Sequence, residues 1–215
     1  MRLVEYDIAK PSVSQDIVHL LAKVFSESDP PAVAMALSSG EMEQFLELVV
    51  ASVIPYRLTV TARSKDTGTL AGALLTDDFA LPPALDLGQI SAKLLPILSM
   101  LEVLDEQFRR GKTISPGEYL HLFMLGVDKR SVGQGIAQGL VQACMDNGVR
   151  KGYRMALTEA TGNVSQHIFR KNGFLERFSV RYRDFVYEDN TVFASIREHE
   201  RAILMDSLLR PLELG

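Results

Sequence analysis

The chain has a single cysteine, Cys144, which excludes an intrachain disulfide framework, and nowhere does it space Cys and His as a zinc site requires. No metal is therefore expected. It also lacks any run of the roughly 18 consecutive apolar residues that cross a bilayer, and the opening "MRLVEYDIAK" has no apolar signal-peptide region. These absences predict a cytoplasmic protein with no membrane partner. A basic excess is missing too: 23 Lys and Arg stand against 27 Asp and Glu, a formal net charge of −4, so nothing general attracts the chain to nucleic acid. A cationic small substrate suits that sign better. What is present is ordinary for a globular protein: 47% hydrophobic and 23% charged residues, in a length of 215 that suits one domain with a sizeable core.

Local patterns give an order of elements. Alternation in "RLVEYDI" (2–8) predicts a strand, and Val13, Ile17, Leu20, Leu21 and Val24 fall at helical spacing until two prolines in "SESDPP" stop the helix. A second helix is expected over 41–53, followed by a hairpin of "YRLTVTARS" and "TLAGALLTDD" around "KDTG". Residues 79–117 read as an insertion. In it Leu94, Ile97, Leu101, Leu104 and Phe108 share one helix face, as for a helix packed on the domain, a lid or a dimer contact.

The continuous apolar run "EYLHLFMLGV" (118–127) has the character of a buried central strand. Beyond it, Ile136, Leu140, Ala143 and Asn147 with Val141 and Cys144 predict a helix capped by Gly148. Then come strand "YRMALTEAT", helix "NVSQHIFRKN" closed by Gly173, two strands within "FLERFSVRYRDFVYEDNTVFASI" around "EDN", and a last helix over 197–209. There is no internal repeat. The fold class expected is α/β (α+β), a single mixed sheet with flanking helices.

Between strand and helix, "VDKRSVGQGIAQGL" (127–140) places glycines at 133, 135 and 139. Such a turn gathers free backbone N–H groups and the positive helix end around one point, where an anion fits. A P-loop would need Lys then Ser or Thr after the last glycine, and none is there. The dinucleotide fingerprint would begin at Gly133, but Gln138 stands at its third position; Glu159, at the end of the next strand, is the one feature in its favour.

The strand "LHLFMLGV", the loop "VGQGIA" and the later "HIFRKNGF" together resemble the GNAT acyltransferases. The resemblance implies a GNAT fold over 1–215, with a helical insertion between strands 3 and 4 at about 79–117 and an acetyl-coenzyme A core at about 118–175. In that superfamily the loop reads Arg or Gln, x, x, Gly, x, Gly or Ala, and its amides hold the coenzyme pyrophosphate. Gly135 and Ala137 stand at the glycine positions, whereas Val132 replaces the Arg or Gln, with Arg130 two residues earlier. The cosubstrate contacts so implied are Leu125, Gly126, Val127, Val132, Gly133, Gln134, Gly135, Ile136, Ala137 and Phe169. "TEATGNVSQHIFRKNGF" followed by "VRYRDF" is similar to the insect-type arylalkylamine N-acetyltransferases, which acetylate dopamine, serotonin and related amines.

That resemblance implies transfer of the acetyl group of acetyl-coenzyme A to a primary amine by direct attack in a ternary complex, in a monomer or homodimer. A peptide or protein amine, or a non-catalytic acyl-coenzyme A module, are the alternatives. The base position, an acidic residue before proline, is matched by Asp29 before Pro30, with Glu27 two residues away. Asp29 is equally suited to capping a helix. Gly126 would permit a bulge in the central strand near the electrophile. Where many GNAT enzymes place a tyrosine acid, this chain has Phe169; Ser165 and Tyr182 are the side chains that could replace it, and solvent is the third possibility. His121 matches one of two histidines that pass protons in vertebrate relatives, Phe123 the other, and His121 is equally readable as structural. Cys144 is expected to fill core and His167 to lie on the surface. Phe79 to Leu87 are expected to wall an aromatic acceptor.

Overall fold

A computed structural model describes residues 4–209. Seven strands form one sheet in the order β1 (Val4–Ile8), β2 (Val60–Ser64), β3 (Leu70–Asp78), β4 (Tyr119–Val127), β5 (Met155–Ala160), β7 (Arg201–Leu208), β6 (Leu175–Arg181). Every neighbouring pair is antiparallel except β4 with β5. The sheet is mixed, as expected, and the helical insertion falls between β3 and β4. On one face lie α1 (Ser14–Ser28), α2 (Pro30–Ala34), α3 (Ser39–Val53) and the insertion helix α4 (Leu95–Arg109); on the other lie α5 (Ile136–Arg150) and α6 (Asn163–Lys171).

Local chemistry sets the helix starts. The Ser38 hydroxyl accepts from the Glu41 N–H while the Glu41 carboxylate accepts from the Ser38 N–H, a capping box that starts α3 at Ser39. Asp29 caps α2 through the Ala32 N–H, with Pro30 and Pro31 where no N–H is needed. In α4 and at the residue before it, Leu94, Ile97, Leu104 and Phe108 are buried on the face that their spacing predicts.

Three expectations fail. Residues 201–208 form β7, not part of a final helix over 197–209: the eight residues "RAILMDSL" insert between β5 and β6 and pair on both sides, which favours the extended form of an apolar run whose periodicity alone is ambiguous. The expected strand pair around "EDN" is accordingly β6 alone, followed by a loop closed by a Tyr187–Asn190 bridge. Gly148 is no cap either. The helix runs through it to Arg150, and a methyl there would meet Leu120 Cδ2 at 2.7 Å, so the glycine lets α5 lie close on β4.

The central irregularity lies in β4. Leu75 pairs with Met124 and Thr76 with Leu122, so Phe123 is an extra residue, a bulge. It reverses the alternation of side chains: Leu120 and Leu122 pack toward α5, but past the bulge Met124 packs toward α1 and Leu125 and Val127 toward α5. Gly126, where the bulge was expected, is regularly paired with Ala73. Its role is close packing, since a methyl there would come 2.5 Å from Leu21 Cδ2 of α1.

Candidate active site

On the α5 side of β4, strand pairing with β5 covers only Tyr119–His121 against Met155–Leu157. Beyond it the strands part, and the Thr158 hydroxyl takes the Leu122 carbonyl at 2.8 Å at the apex of the gap. The β5-facing backbone groups of the rest of β4 have no strand partner, and they line a cleft of about 610 Å³.

One end of the cleft is the glycine loop. Gly133 and Gly135 take φ of +81° and +76°, disfavoured with a side chain, and no protein atom lies within 4 Å of where a Gly133 side chain would stand. The free N–H groups at the start of α5 therefore face open space. Leu125, Gly126, Val127, Val132, Gly133, Gly135, Ile136, Ala137 and Phe169 all border the cleft, as does Ser165. Gln134 does not; its amide turns back to the Arg130 carbonyl at 3.5 Å, and Gln138 stands on the wall instead. The Arg130 guanidinium is held by Asp128 at 2.9 and 3.1 Å and remains largely exposed, while Val132 leaves the loop without a cation at the motif position. The cradle fits a pyrophosphate through its main chain.

The other end is apolar, walled by Phe25, Met42, Phe45, Leu94, Ile97 and Phe123 among others. Its insertion wall comes from α4 and not, as expected, from the segment after Phe79. Phe79 is buried against Phe108, Tyr119 and His121, none of residues 80–86 borders the cleft, and the Leu87 side chain lies outside the described residues.

Asp29 reaches this end. Its Oδ1 accepts from the Thr161 hydroxyl at 2.5 Å and its Oδ2 from the Ala32 N–H at 3.1 Å, and burial pushes its carboxyl above the ordinary range against these bonds and the nearby His199. Glu27 is exposed and lies off the cleft. Tyr182 is behind the wall: its hydroxyl donates to the Thr161 carbonyl at 2.5 Å, and burial pushes its pKa upward, so it steadies the residue that holds Asp29. Ser165 Oγ donates to the Gly162 carbonyl at 2.9 Å at the start of α6.

His121 does not border the cleft. Its Nδ1 donates to Asp77 Oδ1 at 2.9 Å and its Nε2 to Glu159 Oε2 at 2.7 Å, an arrangement that uses both ring protons. Burial disfavours the cation, but the Glu159 and Asp77 carboxylates outweigh it and hold the imidazolium well above its ordinary pKa. Next to it, on α4, burial and the charge of Glu159 push the Asp105 carboxyl up to about 9, so Asp105 keeps its proton at pH 7 and can donate it to Glu159. Burial alone would raise Glu159, yet the charge of His121 and the bonds from His121 and Asp105 bring it below its usual value. Sequence reading missed Asp77, Asp105, Thr161 and His199, which come from separate elements with no shared local pattern. Cys144 is buried in the core beside Thr76, its thiol pushed up to about 12, and His167 is exposed, both as expected. No group of three potential metal ligands occurs among the described residues, and none of their helices is long and apolar enough to cross a membrane.

No curated protein matches the chain. Among solved structures, it resembles the C-terminal condensation domain of Ebony in complex with beta-alanyl-dopamine, with a TM-score of 0.89 and 16% identity over 97% of this chain and 100% of that one. It is also similar to arylalkylamine N-acetyltransferase 2 from Aedes aegypti (TM-score 0.80, 20% identity, 96% and 99% covered). A third likeness is the Drosophila melanogaster polyamine N-acetyltransferase that forms N-acetylagmatine (TM-score 0.75, 17% identity, 96% and 100% covered). The profile of the acetyltransferase (GNAT) family matches residues 87–174, the stretch that carries the parted strands, the glycine loop and α6. The chain thus shares the fold of these structures and, over residues 87–174, matches the acetyltransferase (GNAT) family.

Proposed function

We propose that the protein transfers the acetyl group of acetyl-coenzyme A to the primary amine of a small arylalkylamine, both substrates being bound at once. The observation that carries this reading is the continuity of the cleft, which runs from the glycine loop, along the unpaired edge of β4, to a carboxylate in an apolar chamber. Main-chain N–H groups of the loop at Val132–Ala137 would hold the pyrophosphate, and the unpaired groups of β4 from Met124 to Val127 would face the thioester. Donors fixed where charge develops on a carbonyl oxygen are commonly the largest catalytic contribution.

Asp29 would act on the amine. An alkylammonium of pKa about 10.4 is deprotonated only about one part in 2,500 at pH 7, a cost of roughly 4.6 kcal/mol. A carboxylate raised by burial is a better base than a solvated one, and a water between it and the nitrogen would complete the path. Phe169 cannot supply a proton to the departing thiolate; Ser165 borders the cleft and could, as could solvent. The walls and the similar structures support this amine class. Of the similar structures one is bound to an acylated dopamine, one is named for arylalkylamines and one for agmatine, and the apolar chamber favours an aryl group over a second cation, whose desolvation is costly.

The test is release of free thiol from acetyl-coenzyme A with tyramine, tryptamine and a lysine peptide. Higher kcat/KM for the two arylalkylamines supports the reading; a peptide preference, or no release with any amine, overturns it. Asp29→Asn should lower kcat about 10²-fold or more, the scale of a removed general base, and recover as pH approaches the amine's own pKa. Glu27→Gln should have the smaller effect, because Glu27 stands outside the cleft.

A further inference from the structure

The chamber face of α4 holds one residue unlike its neighbours. Leu94, Ile97, Leu98 and Leu101 border the cleft, and the next position of the same stripe, one turn beyond Leu101, is Asp105. It is half-buried and stands against Glu159 of β5. Asp105 Oδ1 and Glu159 Oε1 are both shielded from solvent and chamber, meet no other hydrogen-bond partner, and lie within reach of each other. Two carboxyl oxygens so placed attract only with a proton between them; as two anions they repel, in surroundings that screen little.

The neighbouring charges decide which of the two carries the proton. Glu159 Oε2 accepts from His121 Nε2 at 2.7 Å, and His121 Nδ1 donates to Asp77 at 2.9 Å. A cation fixed between β3 and β5 therefore keeps Glu159 the ionised acceptor and leaves the proton to Asp105. On β6 and β7, which also pack against α4, Arg177 pairs with Asp206 at 2.7 Å, Arg201 with Glu176 at 3.1 Å and Arg181 with Asp184 at 2.6 Å; Lys93, before α4, pairs with Glu41 at 3.0 Å. Glu102 and Glu106 of α4 are exposed, and Arg109, one turn along from Asp105, is the cation that an ionised Asp105 would turn to.

Resting on the reading of this chamber as the acceptor site, we propose that the Asp105 proton is a latch on the insertion helix. Protonated, Asp105 ties α4 to Glu159 and holds the acceptor wall closed; with the proton released to solvent, it turns toward Arg109 and α4 opens locally from the sheet. Asp105 is thus a positioning residue, which touches no substrate and acts through the stripe from Leu94 to Leu101. An apolar residue in its place would pack the wall at every pH, whereas the carboxyl makes closure depend on a proton. Burial and the Glu159 charge raise it to about 9, and in an opened, solvated helix it returns toward about 3.9. Between those values opening releases a proton, so closure is firm in acid and weakens as pH rises through neutrality.

Hydrogen exchange in the full-length protein, expressed as protection relative to the free-peptide rate at each pH, reads the latch without depending on turnover. One proton over two pH units has a limit of about 100-fold. Because Glu159 and His121 titrate with Asp105, α4 amides should lose about 10-fold in protection from pH 6 to pH 8. Their rates should be insensitive to dilute urea, as for a local opening. Asp105→Asn keeps a donor but has no proton to release, and its α4 protection should stay within about twofold across that range. Constant protection in the wild type, the same loss in the variant, or exchange of α4 only through global unfolding overturns the proposal. At pH 7, Asp105→Ala should raise the KM of the amine acceptor about 10-fold, the scale of one hydrogen bond to a charged group, leave the coenzyme A Kd unchanged, and be rescued by Asp105→Asn. An unchanged acceptor KM, or an equal loss of coenzyme A affinity, overturns the positioning role. Absence of turnover with every amine, beside a pH-dependent α4, would instead remove the acetyltransferase reading and leave the latch standing.

Discussion

Replacing Asp105 by asparagine tests whether the insertion helix is fastened to the sheet through a proton. The Asp105 pKa is raised to about 9 by burial and by the Glu159 charge. A carboxyl whose folded pKa lies above its unfolded value of about 3.9 favours the folded state while protonated. That contribution is complete below the unfolded pKa and is lost progressively as pH rises toward the folded one. The limiting slope is about 1.4 kcal/mol per pH unit. From pH 5 to pH 8 the loss has an upper limit of roughly 4 kcal/mol, and about half of that is expected because Glu159 and His121 titrate together with Asp105.

His121, whose pKa is raised, acts in the same direction, its contribution being lost as pH climbs past its folded pKa. The carboxamide that replaces the Asp105 carboxyl would still donate to Glu159 but has no proton to lose. Urea titrations at pH 5, 6.5 and 8 should therefore show wild-type and Asp105→Asn nearly equal at pH 5. By pH 8 the variant should be about 2 kcal/mol more stable, roughly 4–8 °C in Tm for a chain of this size. Parallel stability curves across that range would refute a neutral Asp105.

Three further outcomes follow from the same geometry. Gly135→Val, which puts a branched side chain at φ of +76° and in the open space before α5, should abolish the thermal protection given by acetyl-coenzyme A; protection that persists in the folded variant would remove the loop from the site. Gly126→Ala should destabilise by about 1–3 kcal/mol in denaturant titrations, because its methyl would meet Leu21 of α1 at 2.5 Å. Thr161→Val removes a hydrogen bond that lowers the pKa of Asp29, so the acidic limb of the kcat/KM profile should move to higher pH, and a limb that stays in place would show that Asp29 is not the group titrating there.

What was legible in the sequence is what is encoded locally. The strand before the loop, the glycine turn and the helices beginning at Asn163 and near Glu41 carry their own period, caps and breakers, and each is where those signals put it. Asp29, singled out by the proline that follows it, borders the cleft. The run "RAILMDSL" misled because a short apolar segment fits a strand or a buried helix equally well, and only the slot between β5 and β6 decides. The bulge was misplaced by three residues because a glycine is a common signal for one, whereas here Gly126 yields to α1 and the bulge at Phe123 follows from the register with β3. The Asp77–His121–Glu159–Asp105 chain joins four elements over long sequence distances, and no spacing rule could have assembled it.

The two ends of the cleft differ in where their residues come from, and this separates the consequences of substituting them. The loop at Val132–Ala137, the free edge of β4, and Ser165 and Phe169 all lie within the stretch that matches the family profile, as befits contacts to a donor that GNAT enzymes share. Phe25, Asp29, Met42, Phe45 and His199 lie outside it and border the chamber that, on the proposed reading, takes the acceptor. A change at the loop weakens the complex with every acceptor alike, so kcat/KM values fall together and their ratios hold. A change in the chamber walls alters transition-state contacts that one acceptor makes and another lacks, and so changes the ratios. The insertion helix belongs to the second group although it lies within the profile: α4 and the residue before it lend the chamber Leu94, Ile97, Leu98 and Leu101 from one face, and the helix sets Asp105 against Glu159. On the proposed reading, a shift of α4 would change both the width of the chamber and the charge state at its wall, and would be felt as a change of acceptor before a loss of acetyl-coenzyme A binding.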